Sequence, residues 1–136
     1  MASIASRRSP AILHPLFNPI PVAFFVAALA LDCLFWQIGS GERIAFWLIG
    51  IGLALSGFAI AVACIDVLRN KHVLQLPDIG LYMSGILTAY AIEFVNWCAR
   101  YFQGTQAVVP MGFELSAFAV LIFVLMAATG WRIAYR

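Results

Sequence analysis

Four long apolar stretches, broken only by short polar segments, constrain this chain more than any other feature. The first runs from about Asn18 to Ile38 and opens with Pro19 and Pro21, which suit a helix entry better than a helix interior. Gly39-Ser40-Gly41 closes it with a tight turn. The second runs from about Arg43 to Leu68 and ends at Arg69-Asn70-Lys71-His72. The third covers roughly Ile79 to Phe102, entered through Pro77-Asp78, with Asp78 placed as an N-cap. The fourth begins near Val108, carries Pro110 in its first turn and ends around Tyr135. At a helical rise of about 1.5 Å per residue, each is long enough to cross a hydrocarbon core of about 30 Å.

Composition decides what surrounds these stretches. The 136 residues are 64% hydrophobic and 10% charged, where a soluble domain carries roughly 25% charged residues to wet its surface. The outer face must therefore meet lipid. Short connections make consecutive helices antiparallel neighbours. The expected fold is all-α: a four-helix transmembrane bundle of antiparallel up-down topology. Its helices are expected at about 18–38, 43–69, 79–102 and 108–134, within one domain (16–136) that follows an N-terminal cytoplasmic tail (1–15).

Charge placement sets an expected orientation. Arg7, Arg8, Arg69, Lys71, Arg132 and Arg136 fall on one side, against Arg43 and Arg100 on the other. The positive-inside rule then puts both termini in the cytoplasm, as a multi-pass protein of the bacterial inner membrane. The first apolar stretch is too long for a signal-peptide core and lacks a small-residue cleavage motif, so it is expected to stay as a span. Trp36, Trp47, Trp97 and Tyr101 are expected to belt the outer interface, and Phe17, Tyr82, Trp131 and Tyr135 the inner one. Helix packing is expected to centre on the second stretch, where Gly50, Gly52, Ser56 and Gly57 let backbones approach closely.

Four carboxylates inside the apolar stretches are the candidate functional groups, because an ionisable side chain in a bilayer is costly. Asp32 lies seven residues before Gly39, Glu93 seven before Arg100, and Glu114 six after Val108. Each is then about 10 Å inside the outer boundary. Asp32, Glu93 and Glu114 are thus expected at one level. Asn96 and Arg100 continue outward from Glu93 at i+3 and i+7, as a hydrogen-bond ladder or a docking face. Asp66 differs: it sits one turn before Arg69 at the inner end of the second stretch, where an interfacial ion pair is expected. His14 and His72 also fall at that inner interface.

Other chemistries find no support in the sequence. Cys33, Cys64 and Cys98 form no C-x-x-C or zinc spacing and read as small apolar packing residues. A di-iron carboxylate site needs histidines beside its acids, and both histidines lie across the membrane from the three-acid level. Hydrolase, metalloprotease and phosphate-loop patterns do not occur. No catalytic residue, metal site or cofactor is therefore expected, and the chain is read as a non-enzyme. With a net charge of +2 and no long basic run, no nucleic-acid partner is expected either.

The segment His14-Pro15-Leu16-Phe17-Asn18-Pro19-Ile20-Pro21-Val22-Ala23, followed by Asp32, resembles the opening of a prokaryotic family of small four-span membrane domains of unknown function. Gly57, Asp66 and Asn96 extend the resemblance. Some relatives look fused to, or encoded beside, soluble redox enzymes. The resemblance implies a membrane-anchoring or electron-transfer-complex role. The leading expectation is an accessory subunit packing against a larger respiratory or photosynthetic membrane complex, its partners being lipid, other membrane subunits or a copy of itself. The alternatives are a small proton or cation carrier that uses Asp32, Glu93 and Glu114, and a haem- or quinone-binding electron-transfer protein.

Overall fold

The computed structural model describes residues 19–134, and every regular element among them is helical. The tail (1–15) and His14 lie outside the described residues. Helix α1 (Pro19–Ile38) takes both prolines in its first turn, and Pro21 is fully buried there. It ends where the Gly39 N–H donates to the Phe35 carbonyl at 2.8 Å. Gly39 and Gly41 both adopt positive φ, 68° and 104°, a conformation open to glycine at no steric cost. The chain thereby reverses within three residues into α2 (Glu42–Arg69).

A short 3₁₀ turn over Lys71–Gln75 leads from α2 into α3 (Ile79–Gln103). Asp78 precedes α3 in a left-handed conformation and makes no side-chain cap bond, so it is not the expected cap. Past α3 helical turns continue with a break at Val109. A 3₁₀ turn (Gly104–Ala107) and a π turn (Val108–Gly112) lead into α4 (Phe113–Ala134).

This continuity corrects the expectation of four separate spans. By length and composition, three helical stretches among the described residues can cross a membrane: Ile20–Ile38, Glu42–Arg69 and Ile79–Ile133. The expected third and fourth spans are one stretch of 55 residues. The sequence breaks between Phe102 and Val108 and puts Pro110 in the first turn of a fourth helix, yet a 3₁₀ turn and a π turn bridge that break. A straight 55-residue helix would be about 80 Å long, far beyond a bilayer core. The stretch instead folds back at Val109, whose φ and ψ of −130° and 130° are extended rather than helical. Its two arms then lie side by side, with Tyr82 against Gly130 and Tyr90 against Phe123.

The core is aromatic and joins α1 to both arms. Phe25 of α1 stacks on Phe123 of α4 with ring centres 5.5 Å apart, and Tyr90 of α3 leans on Phe123 at 5.0 Å. Tyr82, expected at the inner belt, belongs to this core and is fully buried, while Trp36, Trp47, Tyr101 and Trp131 face outward. Close approach is achieved at Gly52, where a Cβ would stand 2.8 Å from the Phe25 ring, and at Gly50, where it would stand 2.9 Å from Trp97. Ser56 is buried and returns its hydroxyl to the Gly52 carbonyl at 2.6 Å. Gly57 faces open space, and Cys33 and Cys64 are exposed. Around this core, Phe58, Phe94, Phe118 and Leu121 are exposed apolar side chains, the surface expected of a chain whose solvent is lipid.

Candidate functional site: a buried polar chain at the folded-back end

Helical geometry brings Glu93, Asn96 and Arg100 to one face of α3, since residues three and four apart are neighbours on a helix. That face points inward, and all three are buried. Asp32 reaches the same place from α1, about two turns before the glycine turn, and is also fully buried. Ser116, from the second turn of α4, completes the set.

The bonds form one continuous chain. Arg100 grips Asp32 with both terminal nitrogens: Nη1 donates to Oδ1 at 2.8 Å, and Nη2 donates to Oδ2. Arg100 Nε donates to Asn96 Oδ1 at 3.0 Å. The Asn96 amide in turn donates to Ser116 Oγ at 2.8 Å and to Glu93 Oε2 at 3.3 Å. Glu93 Oε1 is buried with no hydrogen-bond partner among the described residues. A planar guanidinium matches a carboxylate in two parallel bonds, which gives geometric specificity as well as energy. Three helices are thereby tied at one level through side chains that would each be costly alone.

Gly112 makes room for this arrangement. A Cβ there would lie 2.9 Å from Arg100 Nη2 and 3.1 Å from Asn96 Oδ1, besides striking the Ala107 carbonyl. The π turn thus packs its bare backbone against the polar chain. Depth alone does not reveal Gly112; the signal is that a glycine sits four residues before a buried serine on the returning arm.

Of the residues singled out in the sequence, Asp32, Glu93, Asn96 and Arg100 come together here. Glu114 does not. It is exposed on α4, so the buried network contains two acids, one of them neutralised by Arg100. At the opposite end, Asp66 is half-buried and Arg69 and His72 are exposed. Asp66 makes no ion pair among the described residues; the pair at that end joins Arg132 to Asp78 at 3.6 Å and is largely exposed. No group of three or more His, Cys, Asp or Glu side chains is placed to hold a metal among the described residues.

Outward from Arg100 lies a cavity of about 290 Å³. Glu42, Arg43 and Phe46 line it from the start of α2, and Arg100, Tyr101, Gly104, Thr105 and Val108 from the end of α3 and the turn beyond. Arg100 and Val108 form its buried floor, while Arg43, Tyr101 and Thr105 stand at an exposed rim.

A scan against protein-family models matches residues 10–136 to the family described as predicted membrane protein, DUF2231. The chain belongs to the DUF2231 family. The match spans all three apolar stretches and the whole polar chain. It agrees with the membrane character read from composition, and its description assigns no activity. No curated protein and no solved structure matches the chain.

Proposed function

We propose that this DUF2231 protein is a non-catalytic integral membrane subunit that packs against other membrane subunits or a second copy of itself in a larger assembly. Glu114 carries the reading. Its neighbours along the chain fix its depth: Gly112, at the end of the π turn, lies against Arg100, and Ser116 bonds to Asn96. Glu114 sits between those two levels but faces outward, with no ion pair among the described residues. A carboxylate facing lipid at that depth costs on the order of 2.5–3.5 kcal/mol at mid-membrane, less toward the interface, unless another chain satisfies it. The apolar side chains around it, Phe118 and Leu121, present a surface for that chain.

Orientation follows the same lysine and arginine count, with both termini placed on the cytoplasmic side of the inner membrane. Burial of Arg100 strengthens the asymmetry, since it leaves Arg43 as the exposed cation at the outer end among the described residues. Extraction into native nanodiscs with a photocrosslinker at Phe118 tests the proposal. A crosslinked partner or dimer, weakened by Glu114→Gln, is the expected result. A lone monomer that Glu114→Gln leaves unchanged overturns it.

A second reading, a small proton carrier, draws on Glu93, whose Oε1 is buried and unpartnered among the described residues. Liposome proton flux separates the two: flux abolished by Glu93→Gln favours the carrier, and no flux above empty vesicles removes it.

A further inference from the structure

We infer that the cavity above Arg100 binds a phospholipid headgroup carrying both a phosphate and an ammonium group, such as phosphoethanolamine. The lining carries both signs of charge. Half-buried Glu42 and exposed Arg43 both line the cavity, and neither has an ion-pair partner among the described residues. At the floor, Arg100 has five N–H donors, of which three serve Asp32 and Asn96. One N–H on each terminal nitrogen stays outside those bonds. Asp32 already balances the Arg100 charge, so the floor offers donors rather than net attraction.

This pattern selects among ligands. A simple anion would meet Glu42 in the lining, and a simple cation would meet Arg43. A group with both charges places its phosphate oxygens on Arg43, the Arg100 N–H groups and the Thr105 hydroxyl, and its ammonium on Glu42. Charge-assisted bonds of this kind are roughly twice as strong as neutral ones. The volume lies just below the range of small-molecule sites, about 300–1,000 Å³, which suits a headgroup rather than a whole lipid. Phe46 and Val108 supply an apolar wall, and the cavity opens at the end of spanning helices, where headgroups and acyl chains meet. These two features favour a lipid over the same chemistry free in solution.

Native mass spectrometry of the full chain from detergent micelles, with phosphatidylethanolamine or phosphatidylglycerol added, tests the inference. The wild type is expected to retain one phosphatidylethanolamine about fivefold better than phosphatidylglycerol, the ratio that roughly 1 kcal/mol of ion pairing gives. Glu42→Gln is expected to remove that preference, and Arg43→Gln to lower retention of both lipids. Helix content by circular dichroism confirms that the variants fold. Equal retention of the two lipids by the wild type, or variants that retain them as the wild type does, overturns the inference. Displacement of the lipid by equimolar soluble glycerophosphoethanolamine also overturns it, by showing that the headgroup chemistry alone, without the bilayer, suffices.

Discussion

Two ion pairs tie the helices near opposite ends of this molecule, and they differ in almost every physical respect. Asp32 and Arg100 meet in two parallel bonds with side chains no more than 2% exposed, and Arg100 is further held by Asn96. Arg132 and Asp78 approach to 3.6 Å with side chains 63% and 39% exposed. Water, or the hydrated headgroup layer, can replace either partner of the second pair. Nothing on hand can replace either partner of the first. The buried pair therefore specifies which helices meet and at what height, while the exposed pair fastens little.

The largest expected effect is from breaking the buried pair on one side. Arg100→Ala leaves the Asp32 carboxylate buried without its cation and should cost about 3–5 kcal/mol, read as loss of stability in detergent titration. Arg100→Lys should recover little, because an ammonium cannot reproduce the two parallel bonds and the contact to Asn96. A double variant, Asp32→Leu with Arg100→Leu, should be less destabilised than the two single changes added together. If the single changes simply add, the two residues do not act as a pair.

A smaller effect is expected at Gly112, which touches the same network without belonging to it. Gly112→Ala places a methyl group against Arg100, Asn96 and the Ala107 carbonyl and should cost about 1–3 kcal/mol as an overpacked site. Gly57→Ala, at an open face of α2, is the matched control and should be neutral or stabilising by helix propensity, worth at most about 1 kcal/mol. Equal destabilisation by both would mean that the close approach of the π turn is unimportant. The smallest effect is expected at the exposed pair, where Arg132→Ala should change stability by less than about 1 kcal/mol. A loss as large as that of Arg100→Ala would erase the contrast between the two ends.

The residues themselves explain how much was legible beforehand. Counting positions from the turns placed Asp32 and Glu93 at one depth, and the structure does bring them into one network. The same count placed Glu114 there and says nothing of its direction. Two positions along a helix turn the side chain by about 200°, so Ser116 faces the network and Glu114 faces away. Depth is linear in sequence and can be counted; facing depends on where each helix begins to wind and on what it packs against. Arg100 illustrates the same limit. At the end of an apolar stretch it reads as an interfacial charge, and only the position of α1 beside α3 turns it inward onto Asp32.

The sequence by itself determined that the chain is helical, apolar on its outer face and interrupted by a small number of costly polar groups. Those properties follow from composition and periodicity, which act locally. Tertiary structure alone decided that the last two apolar segments form one helical stretch folded back at Val109. It also decided that Asp32 and Arg100 neutralise each other, and that Glu114 is left facing outward. The reason is that lipid gives no directional preference among buried faces. Which side chains meet was settled by close packing at Gly50, Gly52 and Gly112 and by the need of each buried charge for a partner.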